Sequence, residues 1–145
     1  PVSTDVDQPA RRCERQPDAP SERGPVSITG RARRALNQLD VELDVDPQVR
    51  LAPDEQIEVF RIVQEGLGNA RRHSGAGHVE VSISQQGGRR VVSVSDDGIG
   101  FDEEDAASGL GVANMRLRAE AIDGHLSFKS APGRGTAIEV VLRAA

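Results

Sequence analysis

Val91-Val92-Ser93-Val94-Ser95-Asp96-Asp97-Gly98-Ile99-Gly100-Phe101 is a strand that breaks into a glycine loop. Val92 and Val94 alternate with Ser93 and Ser95, the period of a strand with one buried face. Counting on by two puts Asp96 on the apolar face and Asp97 on the other. A carboxylate among apolar side chains is costly unless something partners it, and no cationic residue lies nearby in the sequence. Asp96 is therefore either a strand-end turn residue or a carboxylate at the rim of an apolar pocket. In the second role it would accept hydrogen bonds from the amino group of a flat heterocycle, and adenine's exocyclic amine fits.

Four further segments share the alternation: Val41-Leu43-Val45, Val79-Val81-Ile83, Leu126-Phe128 and Ile138-Val140-Leu142. Gln85-Gln86-Gly87-Gly88 reads as a hairpin turn before the Val92 strand, and Pro132-Gly133-Arg134-Gly135 as the turn between the last two. Helical period runs from Pro53 to about His73, with Asp54 and Glu55 in the first turn and Arg71 and Arg72 in the last. Ile57, Phe60, Val63 and Leu67 form its expected apolar stripe. A second helix is expected from about Val112 to Asp123, packing Met115, Ala119 and Ile122 and ending at a left-handed Gly124. A weaker helical pattern covers Ser27 to Gln38. One-sided strands and amphipathic helices need each other as cover. The expected fold is therefore α+β: a two-layer sandwich whose mixed, mainly antiparallel sheet is covered on one face by helices.

Composition narrows the function. Residues 1–25 hold five of the chain's 8 prolines and few apolar side chains, so they read as a disordered tail or linker, leaving 26–145 as the single domain. No stretch approaches the ~18 apolar residues of a membrane span, and nothing near Pro1 resembles a signal peptide. The net charge of -5 argues against nucleic acid as a partner. Cys13, the only cysteine, excludes an internal disulfide and fits a reducing, cytoplasmic setting, with a parent protein that is soluble or membrane-anchored. His73, His78 and His125 lack the spacing of a zinc site.

Glycine pairs spaced G-x-G occur at Gly75/Gly77, Gly98/Gly100, Gly109/Gly111 and Gly133/Gly135. A dinucleotide fingerprint needs a third glycine three residues beyond each pair, where the chain has Glu80, Glu103, Asn114 and Ile138. Lys129, the only lysine, follows Phe128 and precedes Ser130, which excludes a P-loop and the protein-kinase strand lysine. Any one pair alone reads as a turn. Together they make a pattern: Gly98 and Gly100 follow a strand, while Gly109, Leu110 and Gly111 open a helix whose free N–H groups and dipole favour phosphate. The polar, small segment Asp102–Ser108 between them reads as a mobile lid.

The first helix carries a second face. Glu65, Asn69 and His73 recur at i, i+4 and i+8, with Arg72 alongside. On spacing alone this is a solvated face. Gly66 and Gly68 weaken that reading, because each costs a helix about 1 kcal/mol relative to alanine and implies a close approach to the backbone. Asn69 also offers a neutral oxygen to a magnesium ion held otherwise by phosphates and water.

These stretches together resemble the ATP-binding catalytic domains of the gyrase, Hsp90, histidine kinase and MutL superfamily, over about residues 40–145. Gln64–His73 resembles the N box, Asp96–Phe101 the first glycine box, Gly109–Arg118 the second, and Ser130–Thr136 the last glycine-threonine motif. The Met115-Arg116-Leu117-Arg118 continuation and the short lid are most similar to sensor histidine kinases that pair with NarL-type response regulators. The resemblance implies that Asp96 binds the adenine amine with help from Thr136, and that Asn69 holds Mg2+ against ATP. Glu65 would orient water or act as a base, and Arg72 and His73 would approach the phosphates. Gly98, Gly100, Gly109 and Gly111, with Leu110, would bring backbone close to the nucleotide.

The resemblance has two departures. Gly66 and Gly68 stand where the family more often has better helix formers, and no histidine here is followed by the acidic residue typical of the family's phosphoacceptor. The expected partner is therefore a separate dimerisation and phosphoacceptor segment of the same or a parent kinase, with a response regulator downstream. The domain itself is expected to be monomeric and the parent a homodimer. Two alternatives are an anti-sigma-type serine/threonine kinase and a non-catalytic nucleotide-binding module.

Overall fold

A computed structural model of the chain describes residues 30–36, 39–102, 104 and 109–144. In chain order the elements are β1 (Gly30–Leu36), β2 (Leu39–Val45), α1 (Pro53–Asn69) running into a π-helical turn (Ala70–Ser74), β3 (His78–Gln86), β4 (Arg89–Asp96), α2 (Leu110–Glu120), β5 (His125–Ser130) and β6 (Thr136–Leu142). The strands form one six-stranded sheet in the order β1-β2-β3-β4-β6-β5. Only β2 and β3 run parallel; the other neighbours are antiparallel. A parallel pair needs a crossover, and α1 lies in the β2–β3 connection. The α+β sandwich with a mixed, mainly antiparallel sheet is thus the observed fold.

Alternation sets the inner face of the sheet. Val79 and Val81, Val92 and Val94, and Ile138, Val140 and Leu142 are buried, with Glu80 and Glu139 exposed between them. From the helices and the turn after α2, Val59, Ile62, Ala70, Val112, Met115, Ala119 and Ile122 complete one continuous core. Each fully buried aliphatic side chain contributes about 1.5–3 kcal/mol. Gly87 and Gly88, at φ +55° and +77°, form the β3–β4 hairpin turn where it was expected.

Three expectations change. The helical pattern over Ser27–Gln38 is a strand where described: β1 pairs antiparallel with β2 from Gly30↔Val45 to Leu36↔Leu39. Arg and Ala carry good helix propensity, but pairing with a sheet edge overrides it. The apolar stripe of α1 is rotated. Ile57 and Phe60 are 60% and 62% exposed, whereas Val59, Ile62 and Gly66 are buried; Val63 and Leu67 are only partly covered. At the end of α2 the left-handed residue is Asp123, φ +52°, not Gly124. Gly124 is needed for space, since a Cβ there would lie 2.7 Å from Leu142 Cδ2. The expected tail over residues 1–25 lies outside the described residues.

One polar contact ties the start of α1 to the sheet. The Arg90 guanidinium, 7% exposed, donates two hydrogen bonds to the Glu55 carboxylate and others to the carbonyls of Arg50 and Arg143. Glu55 also accepts from the Ala52 N–H at 2.7 Å, satisfying a free donor at the helix start. The Arg90 hydrogen bonds hold the Glu55 carboxyl below the usual carboxylate range, against the upward push of burial.

Candidate functional site

Asp96 ends β4 on the same face as Val92 and Val94. It lines a cavity of about 390 Å³ whose apolar walls are Val94, Phe101, Val112, Phe128 and Ile138. Its Oδ1 accepts a 2.9 Å hydrogen bond from the Gly98 N–H. Among the described residues nothing donates to Oδ2, so its lone pairs remain for a molecule in the cavity. Asp97 points the other way, and its Oδ1 accepts from the N–H groups of Gly77 and His78 at 3.0 and 2.9 Å. Two adjacent aspartates therefore do different work, one facing the cavity and one fastening the loop before β3.

Thr136 stands opposite Asp96 across the β4–β6 ladder and lines the same cavity, 8% exposed. Behind it, Ser130 Oγ lies 3.0 Å from Thr136 Oγ1, accepts from Phe101 N–H at 2.8 Å and donates to Gly135 O at 3.1 Å. Ser130 and Phe101 are site residues the sequence reading did not single out. Their signal lies in contacts made across the fold.

The opposite wall comes from α1 and its π turn: Glu65, Asn69, Arg72 and His73 all line the cavity. Single π turns interrupt α-helices often at functional sites. Here the turn ends at Gly75, φ +59°, after Ser74 has bonded its hydroxyl back to Ala70 O at 2.7 Å. Arg72 Nη2 lies 3.8 Å from Glu65 Oε1, with the two side chains 50% and 39% exposed, so this pair adds little stability.

The third wall is the start of α2. Gly109, Leu110 and Gly111 line the cavity, and no side chain caps the helix. Its first N–H groups therefore remain available to an anion. A Cβ on Gly111 would meet only the flexible end of Glu65, at 2.8 Å from its Oε1.

Gly98 and Gly100 do not line the cavity. A Cβ on Gly98 would lie 2.3 Å from Ser74 Cβ, and one on Gly100, φ +66°, would lie 2.0 Å from Ala131 O. They let the loop after β4 lock against the π turn and the β5–β6 turn, where Ile99 N donates to Ser74 O and Gly133 N to Ile99 O. Gly66 answers to the sheet: its Cβ would lie 3.1 Å from Val94 Cγ1. Gly68 would meet only the Arg72 guanidinium. Of the expected lid only Asp102 and Glu104 are among the described residues.

Among the described residues there is no group of three or more His, Cys, Asp or Glu side chains able to hold a metal alone. Asn69 and Glu65 nevertheless share the cavity wall beside the uncapped start of α2. That donor set suits a magnesium ion that keeps most of its ligands from phosphate and water, and suits no all-protein cage.

The chain matches the family model described as histidine kinase-, DNA gyrase B-, and HSP90-like ATPase over residues 54–145. It is 38% identical over 84 residues to the signal transduction histidine-protein kinase/phosphatase DegS of Brevibacillus brevis, covering 57% of this chain and 22% of that protein. It is 32% identical over 114 residues to the nitrate/nitrite sensor protein NarQ of Escherichia coli K12, covering 75% and 20%. With the sensor histidine kinase LiaS of Bacillus subtilis 168 the figures are 35% over 108 residues, 74% and 30%. The chain thus spans less than a third of each of these curated relatives. Its fold recurs in the histidine kinase domain of the Erythrobacter litoralis EL346 blue-light activated histidine kinase, with a TM-score of 0.62 and 23% identity over 74% of this chain and 52% of that one. The family match covers most of the chain, which therefore belongs to the histidine kinase-, gyrase B- and HSP90-like ATPase family.

Proposed function

We propose that this domain binds Mg-ATP in the Asp96 cavity and transfers the γ-phosphate to a histidine on a separate dimerisation and phosphoacceptor segment. The observation that carries this reading is the Asp96 carboxylate, set among apolar walls with one oxygen left for a ligand and Thr136 beside it. Asp96 accepts a hydrogen bond from adenine's exocyclic amine, and Phe101, Phe128 and Ile138 cover the base. The free N–H groups at Gly109–Gly111 meet the phosphates, with Arg72 and His73 supplying positive charge and donors from α1. Asn69 holds Mg2+, which neutralises charge on the phosphate oxygens when bound. Glu65 orients the incoming acceptor or takes its proton. The histidine nitrogen forms a bond to the γ-phosphorus as the bond from that phosphorus to the β–γ bridging oxygen breaks, releasing ADP. Positioning and charge neutralisation supply most of the acceleration.

The remaining parts of the proposal rest on the resemblance of the motifs to NarL-pairing sensor kinases; the relatives matched are longer proteins. Residues 26–145 act as one monomeric catalytic unit and 1–25 as tail or linker. The acceptor belongs to a homodimeric parent kinase, and a NarL-type response regulator receives the phosphate. The domain works on the cytoplasmic side. Among the described residues no helix is long and apolar enough to cross a membrane.

The test is trans-phosphorylation. The domain is mixed with labelled ATP, magnesium and a dimerisation segment whose histidine a related kinase phosphorylates. Acid-labile label on the segment is the expected result. Acid-stable label would point to a serine/threonine kinase, and tight ATP binding with no transfer to a non-catalytic module.

A further inference from the structure

The hydroxyl of Ser130 has one proton and, among the described residues, three hydrogen-bonding neighbours. Gly135 O at 3.1 Å is a carbonyl and can only accept; the Phe101 N–H at 2.8 Å can only donate. Thr136 Oγ1 at 3.0 Å can do either. All three hydrogen bonds form together in one arrangement: Ser130 donates to Gly135 O and receives the Thr136 proton. Thr136 is then left with lone pairs alone on its cavity side, next to the Asp96 carboxylate on the facing strand. Ser130 itself does not line the cavity; it acts through Thr136.

We infer that Ser130 is a positioning residue for base selection. By claiming the Thr136 proton it turns the Asp96–Thr136 pair into an acceptor-only edge, which favours a ring amino group and disfavours a ring carbonyl at the same place. A hydroxyl free to rotate would serve either group, as hydroxyls ordinarily do. The same oxygen holds the backbone of Phe101, a cavity-lining residue, so base selection and the placement of that aromatic wall share one anchor. The inference deepens the nucleotide-binding proposal and rests on it.

The test compares affinities for ATP and inosine triphosphate, which replaces the six-amino group by a carbonyl, in the whole chain by calorimetry. The wild type is expected to prefer ATP. Ser130→Ala frees the Thr136 hydroxyl and is expected to narrow the ATP-to-ITP ratio about five- to tenfold, the effect of one neutral hydrogen bond. Ser130→Thr, which keeps the hydroxyl, is expected to restore the ratio. Thr136→Val is expected to narrow the ratio by itself, and adding Ser130→Ala to it should change the ratio no further. A Ser130→Ala protein that loses affinity for both nucleotides equally, with the ratio intact, overturns the inference while leaving the nucleotide site standing. An unchanged ratio in Thr136→Val does the same should Ser130→Ala fail to fold. A wild type that binds neither nucleotide overturns the nucleotide reading and the inference with it.

Discussion

Asp96 and Thr136 stand directly opposite each other on β4 and β6, and both line the cavity. Directly opposed residues of an antiparallel pair share a face, with Cβ atoms about 4.5–5.5 Å apart. The spacing of these two groups is therefore fixed by a sheet ladder rather than by a loop. Sites built on such elements hold their geometry more closely than sites on mobile segments. The α1 and α2 walls meet the same cavity through packed helices.

Asn69 is the neutral oxygen donor on the α1 wall. Asn69→Ala is expected to bind ATP equally with and without magnesium, whereas the wild type binds more tightly with it. Calorimetric titrations with and without the ion check this. Identical wild-type curves would remove the metal role assigned to Asn69.

Arg90→Met removes both hydrogen bonds to Glu55, whose carboxylate keeps only the Ala52 N–H, and takes the guanidinium from two carbonyls. Breaking a fully buried pair by removing one member costs about 3–5 kcal/mol; this pair is part-buried, so a smaller loss is expected, measurable as a lower urea midpoint. The pH dependence follows from the lowered Glu55 carboxyl. A group whose folded value lies below its unfolded one stabilises above the unfolded value, about 4.3 for glutamate, and the gain fades as pH falls through the folded value. Wild-type stability should drop over that acid range, and the drop should be shallower in Arg90→Met.

The two helix glycines are expected to behave oppositely. Gly68→Ala meets only the flexible end of Arg72 and should raise stability by up to about 1 kcal/mol through helix propensity. Gly66→Ala presses on Val94 Cγ1 at 3.1 Å in the core, and overpacking typically costs about 1–3 kcal/mol, enough to cancel or exceed the propensity gain. Thermal melts of the two variants separate the cases. Equal stabilisation by both would mean that α1 rides loosely on the sheet.

Strands were legible because one face of the sheet is buried along its length: Val79, Val81, Val92, Val94, Ile138, Val140 and Leu142 recur at every second position, although in β4 Arg90 and Val91 are buried as well. The buried row of α1, Val59, Ile62 and Gly66, was not, because Gly66 does not announce itself as hydrophobic. Ile57 and Phe60 announce themselves and face outward. β1 was hidden for another reason: Arg and Ala prefer helix locally, and only the partner strand makes Gly30–Leu36 extended. Within the cavity, residues on regular elements could be placed by counting, as Asp96, Glu65, Asn69 and His73 were. Ser130, Phe101, Arg90 and Glu55 depend on partners as far as 53 residues apart, which no local pattern encodes. Gly98 and Gly100 were visible as glycines, but whether they spare room for a ligand or for the chain itself depended on Ser74 and Ala131.

The central claim is that the Asp96 carboxylate recognises the adenine amine, and Asp96→Asn tests it most directly. The variant keeps the shape of the side chain but replaces one acceptor with a donor. It is expected to fold as the wild type does by circular dichroism and to bind ATP about 100-fold more weakly or not at all, the scale of a lost charged hydrogen bond with a mismatched partner. A folded Asp96→Asn protein that binds ATP with wild-type affinity would contradict the account.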